Sequence, residues 1–180
     1  MAHGATVYNF DIDLADSDRG VYESLALRVA RHPSESDEYL VTRVLAYCLE
    51  YGEGIAFSPG GLSDPDDPPI AVRDLTGTLQ AWIDVGTPDA ARLHRASKAA
   101  PRVAVYVHKD PFQWMRALEG ARIHRADALE LWALDRAFLA DLTAALERRL
   151  AFMLSVNDRE LYVSLPAATL TGALTRLTVP

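Results

Sequence analysis

The chain has 180 residues, a formal net charge of −7 and a single cysteine, Cys48. Its 49% hydrophobic and 24% charged residues are typical of globular proteins, and its length predicts a single domain over 1–180. The lone cysteine excludes an internal disulfide and a cysteine-based zinc site. No apolar run is long enough to span a membrane, and the N-terminus lacks the features of a signal peptide, so a cytoplasmic location without membrane contact is expected.

The charge is distributed unevenly along the chain. Residues 1–91 carry 16 acids and 5 bases, whereas residues 92–125 carry 8 bases and 2 acids. The net negative charge argues against binding of nucleic acid over the whole surface. The basic segment has two interpretations: it steers a polyanion to one place on the protein, or its bases pair with the acids of residues 1–91.

The N-terminal third predicts a β-hairpin followed by a helix. Residues 6–14 and 21–31 each alternate apolar and polar side chains around a polar turn, although a short helix is the alternative for the second segment. Ser34 is expected to cap a helix over 34–52, which places acids such as Glu35 in the first turn, where the helix dipole favours them.

Short segments follow this helix. Residues 55–58 and 70–73 predict two short strands. The Gly/Pro/Asp-rich segment 59–69 between them is a loop long enough to indicate function or mobility.

Residues 79–85 predict a central strand between two unlike faces. Aliphatic side chains alternate there with Gln80, Trp82 and Asp84. An acidic side chain in such a strand is costly unless it is paired or bound to a cation. Asp84 is therefore a candidate for either arrangement.

A basic helix is predicted directly after this strand. Residues 86–89 form a Gly/Pro turn, and Asp89 is expected in the first turn of the helix. The helix brings Arg92, Arg95 and Lys98 near the acidic end of the strand. Two interpretations stay open: a phosphodiester site, or a structural ion pair of Asp84 with Arg92 or Arg95.

The rest of the chain continues the alternation of strands and helices. Residues 102–108 form an apolar strand, so the strand-helix-strand unit over 78–108 implies a parallel pair with a right-handed crossover. The remaining predictions are a helix over 111–118, strand pieces at 123–124 and 129–133, a helix over 135–146, and a C-terminal hairpin of 150–156 and 160–165. The last fifteen residues are weakly patterned.

Several phrases of the sequence resemble the YaeQ family of small bacterial proteins over essentially the whole chain. The first lies at the start of the predicted helix, the second within it, and the others in the central strands. They are Ala30-Arg31-His32-Pro33-Ser34-Glu35, Arg43 to Tyr47, Trp82-Ile83-Asp84-Val85-Gly86-x-Pro88-Asp89 with Arg92, and Val105-Tyr106.

The resemblance implies a fold. It is a variant of the PD-(D/E)XK nuclease fold, also called restriction-endonuclease-like: an α/β architecture with a mixed sheet and flanking helices. Its core of a helix, a three-stranded meander, a helix and a further strand maps onto residues 34–108. Hairpins then lie at both termini.

The resemblance also implies a site. In that fold, a helix glutamate and two strand acids hold Mg²⁺, and a lysine assists the nucleophilic water or the phosphate. Carried onto this sequence, the catalytic residues are Asp84, Asp74, Glu35, Arg95 and Lys98, the metal ligands are Asp84, Asp74 and Glu38, and the phosphate-binding residues are Arg92, Arg95 and Lys98. Asp84 and Arg95 are expected in one cleft, with Glu35 or Glu38 pointing into it.

The match to the nuclease pattern is partial. Gln80 stands where the family commonly has an acid, and Arg95 where it commonly has a lysine. Gly86 replaces the lysine of the acid-x-Lys triplet. Two functions therefore stay open: a Mg²⁺-dependent phosphodiesterase acting on nucleic acid with a weakened active site, or a non-catalytic nucleic-acid- or protein-binding module that retains the fold.

Overall fold

The computed structural model describes residues 4–59 and 65–180, which contain ten β-strands and four α-helices. The strands are β1 Thr6–Asp16, β2 Val21–Arg31, β3 Ile55–Phe57, β4 Ile70–Arg73, β5 Leu79–Val85, β6 Arg102–Val107, β7 Glu130–Leu134, β8 Arg149–Asn157, β9 Glu160–Ser164 and β10 Thr169–Leu177. The helices are α1 Asp37–Leu49, α2 Ala90–Ala99, α3 Phe112–Leu118 and α4 Arg136–Ala144. Parallel and antiparallel neighbours occur together, so the predicted α/β class with mixed strand pairing is confirmed.

The chain forms two compact units, each built from distant parts of the sequence. The first unit takes in the chain up to Val41 together with Leu134–Leu174. Its strands follow the order β2-β1-β8-β9-β10. The β1–β2 hairpin keeps one antiparallel register over its full length, β1 and β8 are parallel, and β8–β9 is a second hairpin. Both predicted terminal hairpins are thus confirmed, and the short-helix alternative for 21–31 is wrong.

One face of this first sheet is apolar and buried. Phe10, Ile12 and Leu14 of β1 point to it, and α4 adds Phe138 and Leu142 to the buried side chains of the unit. The opposite face carries mostly polar and small residues, together with the exposed side chains of Tyr22, Met153 and Tyr162. Period-two alternation therefore sets the orientation of the strands, as the sequence indicates.

The second unit comprises Thr42–Ala133 and Thr175–Pro180. Its strands follow the order β7-β6-β5-β4-β3. β3, β4 and β5 form an antiparallel meander, and β5, β6 and β7 are parallel neighbours. The predicted parallel pairing of the strands on either side of α2 is confirmed.

The core of the second unit forms where α2 and α3 cover one face of this sheet. Val103, Val105 and Val107 of β6 pack in one cluster with Leu93 of α2 and Trp114 of α3. Because residues 103, 105 and 107 point to the same face, the side chains of 102, 104 and 106 point to the other. The sheet thus presents two faces with different neighbours.

The start of α1 corrects one prediction. The helix begins at Asp37, and Ser36 rather than Ser34 caps it: the Tyr39 amide donates to Ser36 Oγ at 3.1 Å. Glu35 therefore lies before the helix and not in its first turn. Cys48 is fully buried, as its place on the apolar stripe indicates, and burial raises the pKa of its thiol to about 12.

Two other segments differ from the sequence interpretation. Residues 123–124 are not a strand, and β7 is a single strand over Glu130–Leu134. The weakly patterned C-terminus contains β10, which pairs antiparallel with β9. Within the predicted 59–69 loop, residues 60–64 lie outside the described residues. In the described part of the chain, no helix combines the length and the apolar character needed to cross a bilayer.

Two glycines with the same backbone conformation differ in the space that surrounds them, and one of them lies where the start of β3 approaches the end of β4. Gly54 and Gly77 have φ values of +83° and +84°, but a Cβ on Gly54 would overlap the Arg73 carbonyl, whereas no atom lies within 4 Å at Gly77. We expect Gly77→Ala to lower the free energy of unfolding by about 1–2 kcal/mol, the left-handed penalty alone. Gly54→Ala should cost at least about 2 kcal/mol more, since backbone must shift.

Chemical denaturation of both variants measures this difference, with wild type as reference. Equal losses of stability at the two glycines would show that β3 and β4 leave room for a side chain at Gly54.

Candidate functional site

Asp84 is a buried acid near the end of β5. Only 3% of the residue is exposed, and it shares a face of the sheet with Trp82, two residues earlier. Its Oδ2 accepts a hydrogen bond from Trp82 Nε1 at 3.3 Å, and its Oδ1 accepts one from the Val85 amide at 3.2 Å. The carboxylate therefore lies on the side of the sheet that α2 covers.

Arg92 of α2 is the cationic partner of this carboxylate. Its Nε donates to Asp84 Oδ2 at 2.6 Å, and its Nη2 donates to Oδ1 at 3.3 Å. The guanidinium also lies over the Trp82 ring, with 5.2 Å from Cζ to the ring centroid. It donates further to the carbonyl oxygens of Pro65 and Asp67, both at 3.2 Å. Of the two interpretations left open for Asp84, the structure contains the ion pair, and the partner is Arg92.

The position of α2 follows from its own sequence. Asp89 caps the helix by accepting from the Arg92 amide at 2.8 Å, so Arg92 occupies the first turn. Leu93 is fully buried and holds the helix against the sheet. These two local features place the Arg92 side chain beside the C-terminal end of β5.

Asp74 lies at the opposite end of the β4–β5 hairpin. The register pairs Arg73 with Leu79 and Ile70 with Ile83, so five residues of strand, roughly 16 Å, separate the turn from Asp84. Asp74 Oδ1 accepts hydrogen bonds from Thr76 Oγ1 at 2.6 Å and from the Thr78 amide at 2.9 Å. These hydrogen bonds lower the pKa of the Asp74 carboxyl.

Gln80 belongs to this turn as well. Its Nε2 donates to Asp74 Oδ2 at 3.1 Å. The amide that replaces the family's usual acid therefore acts as a hydrogen-bond donor to Asp74, which is a structural role in the turn. Asp74 and Asp84 are not brought together.

Glu35 and Glu38 belong to the first unit, whereas Asp84 belongs to the second. Glu35 is buried, with 4% exposed, and its carboxylate accepts from the His32 amide at 3.2 Å. Glu38 is exposed on the first turn of α1. Glu35 closes the turn that precedes the helix, and its place in a shared cleft with Asp84 stays a prediction.

The basic segment divides into paired and exposed side chains. Arg92 and Arg102 are half-buried, and both pair with acids of residues 1–91. The other bases are exposed, and none forms an ion pair within the described part of the chain: Arg95, Lys98, Lys109, Arg116, Arg122 and Arg125. The pairing interpretation thus holds for Arg92 and Arg102, and the steering of a polyanion by the exposed bases stays a prediction.

The exposed bases of α2 lie beside a basic loop. Arg125 donates to the Ser97 carbonyl at 2.7 Å, and the His124 amide donates to His94 Nδ1 at 3.1 Å. The loop around residues 122–125 is thereby fixed against α2. We call Arg95, Lys98, Arg122 and Arg125, with His94 and His124, the basic patch.

A second buried polar cluster lies on the other face of the sheet, and the sequence did not indicate it. Arg102 Nη2 and the Tyr106 hydroxyl both donate to Glu50 Oε1, at 2.9 and 2.6 Å. Arg102 Nε also donates to Glu130 Oε2 at 2.6 Å. Burial raises the pKa of the Tyr106 phenol well above 10, and the neighbouring Glu50 charge raises it further. The one feature of the sequence that could have indicated this cluster is the presence of Arg102 and Tyr106 in the otherwise apolar strand β6.

The residues carried over for Mg²⁺ do not fit such an ion as they stand. Within the described residues, no three His, Cys, Asp or Glu side chains are grouped closely enough to hold a metal ion. Both oxygens of Asp84 already accept hydrogen bonds from a guanidinium. Mg²⁺ requires several oxygen ligands in near-octahedral geometry, and Asp74 lies too far along the strand to supply one. A Mg²⁺ ion at Asp84 would therefore require Arg92 to move, and Asp74 could join the same ion only if the β4–β5 hairpin rearranged.

Comparisons with known proteins agree on one family. The family described as "YaeQ protein" matches residues 1–173. The chain is 30% identical over 166 residues to "Uncharacterized protein YaeQ" of Escherichia coli (strain K12), covering 91% of each. It is 31% identical to the protein of that name in Salmonella typhi, again covering 91% of each.

Solved structures give the same result. The crystal structure of a YaeQ protein from Pseudomonas syringae has a TM-score of 0.86 and 31% identity, covering 97% of this chain and 96% of that one. The YaeQ protein from Xanthomonas axonopodis pv. citri has a TM-score of 0.84 and 29% identity, covering 98% and 99%.

The Asp84–Arg92 pair should be strongly coupled. We expect Arg92→Gln to lower the free energy of unfolding by about 3–5 kcal/mol, because it leaves a buried carboxylate without its cation. The double variant Asp84→Asn/Arg92→Gln should recover part of this loss. Arg95→Gln, three residues later on the same helix and exposed, is the matched control and should cost under about 0.5 kcal/mol. Urea denaturation of the wild type and of these three variants measures the losses in the free energy of unfolding. A loss for Arg92→Gln as small as that for Arg95→Gln would show that the ion pair does not stabilise the fold.

Tyr106 should make the protein sensitive to alkaline pH. Its folded-state pKa is raised, so its contribution to stability is complete below pH 10 and is lost as the pH rises toward the folded pKa, because the unfolded chain releases the phenol proton first. The stability difference between wild type and Tyr106→Phe should fall by about 1.4 kcal/mol per pH unit above pH 10.

The measurement is urea denaturation from about pH 8 to about pH 11.5, a range that brackets the ordinary tyrosine pKa. Tyr162→Phe, at a tyrosine with 39% exposure, is the control. A parallel pH dependence of Tyr106→Phe and wild type would show that the phenol is not held neutral by its surroundings.

Proposed function

We propose that this chain, which belongs to the YaeQ family, is a nucleic-acid-binding module that retains a nuclease-like fold without nuclease chemistry. The observation that supports this proposal most directly is that Arg92 donates hydrogen bonds to both carboxylate oxygens of Asp84. The ligand is bound through its phosphate backbone by the basic patch.

The order and pairing of elements support the fold part of this proposal. The sequence α1, β3, β4, β5, α2, β6 follows the helix, meander, helix and strand order of the PD-(D/E)XK core. The meander is antiparallel, and β5 and β6 are parallel. This arrangement is what the resemblance implies for residues 34–108.

The state of Asp84 favours binding over catalysis. A divalent cation at this carboxylate has to compete with a guanidinium that is itself held by the Trp82 ring and by two backbone carbonyls. Displacing it removes those contacts as well, and the guanidinium and the metal ion then compete for one carboxylate. Arginine also cannot deprotonate, so the pair cannot be relieved by proton loss.

The basic patch supplies the binding surface. Its four charged side chains are exposed and lie on α2 and the adjoining loop. In a protein of net charge −7, such a patch confines a polyanion to one region. Binding through it would be salt-dependent and would show little base preference, because contacts to phosphates carry no sequence information directly.

A Mg²⁺-dependent phosphodiesterase is the second candidate. The observation in its favour is the acid retained in Trp82-Ile83-Asp84-Val85-Gly86, where the family usually has glutamate. In that case Asp84, Asp74 and Glu35 or Glu38 would surround the ion, and Arg95 or Lys98 would hold the scissile phosphate. The distance of Asp74 from Asp84 weakens this candidate.

The test is fluorescence anisotropy with labelled single-stranded and double-stranded DNA and RNA from about 25 to about 200 mM KCl, without divalent cations. We expect binding by the wild type. Arg95→Gln and Lys98→Gln should each weaken it and each reduce the slope of log K against log salt by about 1, as the loss of one phosphate contact predicts. Arg136→Gln, at an exposed base of α4, is the matched charge control and should leave the slope unchanged.

The same substrates with Mg²⁺ or Mn²⁺ distinguish the two candidates. Metal-dependent cleavage that Asp84→Asn abolishes would overturn the non-catalytic proposal in favour of the second candidate. No binding to any of these nucleic acids at the lowest salt concentration would overturn the binding proposal, and the absence of cleavage with Mg²⁺ or Mn²⁺ as well would overturn both.

A further inference from the structure

The 11-residue strand β2 forms one edge of the first unit's sheet. Its inner side pairs with β1 in one uninterrupted register, from Thr6 opposite Arg31 to Asp16 opposite Val21. Its outer side pairs with no other strand among residues 4–59 and 65–180. An edge of this length offers a row of backbone donors and acceptors to another strand.

Most of the devices that normally protect an edge are missing from β2, and its two core-facing charges, Glu23 and Arg31, lie toward its ends. Proteins blunt their edge strands with proline, with bulges, with short strands or with a charge that points inward. The sequence VYESLALRVAR contains no proline, and its pairing has no bulge. On the core-facing side, Leu25 and Val29 are buried, whereas Leu27 between them is only half-buried. This leucine is the apolar position that an added strand would cover.

The side-chain pattern of β2 is complementary to itself. In antiparallel pairing about a two-fold axis at Leu27, Leu27 faces its copy and Leu25 faces Val29 of the partner subunit. Glu23 then faces Arg31 of the partner subunit, twice by symmetry. Arg31 already pairs with Asp37 at 3.3 Å and donates to the Glu35 carbonyl at 3.2 Å, so Glu23 of the partner subunit would be a second carboxylate beside its guanidinium. A shift by one residue would place core-facing side chains against solvent-facing ones, so this register is specified by the pattern.

We propose that the protein forms a symmetric dimer in which two copies of β2 pair antiparallel about Leu27 and join two sheets into one. The occupant of the edge is a second copy because β2, when it pairs with itself in this register, already sets acid opposite base and leucine opposite valine. A closed two-fold contact of this kind stops at two subunits, which removes the exposed edge. This inference is independent of the proposed function.

Two alanines beside the same carboxylate provide the test. Asp11 of β1 has Ala26 of β2 on one side and Ala151 of β8 on the other, and both alanines are exposed on the same face. In the proposed register, Ala26 faces Arg28 of the partner subunit, whereas Ala151 lies two strands from the contact. A charged side chain at either alanine lies beside Asp11, so its effect within the subunit is matched. Only the side chain at position 26 also lies beside the second copy.

The measurement is sedimentation velocity over a wide range of protein concentration, with circular dichroism to verify folding. We expect a concentration-dependent dimer for the wild type. Ala26→Arg should weaken it about tenfold, because two like-charge cross-strand pairs are created. Ala26→Glu should tighten it severalfold, because the new carboxylate faces Arg28 of the partner subunit. Ala151→Arg and Ala151→Glu should change it less than about twofold.

Three results would overturn the proposal. One is a wild type that stays monomeric at every concentration. Another is a weakening by Ala26→Glu as large as that by Ala26→Arg, which would exclude the register. The third is equal weakening by Ala151→Arg and Ala26→Arg, which would place the contact on the sheet face that exposes Tyr22, Met153 and Tyr162 instead of on the edge.

Discussion

The ion pair between Asp84 and Arg92 is the interaction on which the arrangement of the second unit depends. A carboxylate in the middle of a sheet is tolerated only when it has a cation and hydrogen bonds. Arg92 supplies the cation from α2, and Trp82 and the Val85 amide supply further donors. The same guanidinium holds the carbonyls of Pro65 and Asp67. One side chain thus joins the central strand, its crossover helix and the end of the preceding loop.

A second polar cluster on the other face of the same sheet complements this pair. β6 directs its valines toward α2 and α3, and its Arg102 and Tyr106 to the opposite side. There Glu50 accepts from both, so two acids and one arginine share a partly buried environment with a phenol. Neither cluster contains the grouping of carboxylates that a two-metal centre needs, because the acids of each cluster are paired with an arginine. The acids of both clusters thus stabilise the second unit.

The fold separates the bases of residues 92–125 into a paired group and an exposed group. Arg92 and Arg102 are paired with acids of the second unit, whereas the exposed bases of α2 and its neighbouring loop form no ion pair in the described part of the chain. The first unit contributes a different kind of surface, a sheet edge whose recognition depends on backbone hydrogen bonds and alternating side chains. A polyanion and a second copy of the chain would thus use chemically distinct regions.

Local periodicity and capping were sufficient to predict most of the elements. The alternation around Trp82 and Asp84 predicted β5, and motif phrases indicated the family. The Gly/Pro turn of residues 86–89 predicted the start of α2, although Asp89 caps that helix and does not lie in its first turn as expected. A helix was expected from Asp135, which caps α4. These features depend on residues within a few positions of each other. Only the tertiary structure decided the partner of Asp84, since Arg92 and Arg95 are equally plausible by spacing. It also placed Asp74 far from Asp84, because strand register is set by pairing.

The remaining features depend on contacts between distant residues. The Glu50–Tyr106 hydrogen bond joins positions 56 residues apart, so no local pattern contained it. β10 has weak alternation of its own and becomes a strand because β9 supplies its hydrogen bonds. Sequence by itself thus determined which segments are strands or helices, where side-chain period and caps act locally. Tertiary structure alone decided which charged side chains form ion pairs. A buried charge is costly unless it is paired, and its partner can come from any part of the chain that the fold places beside it.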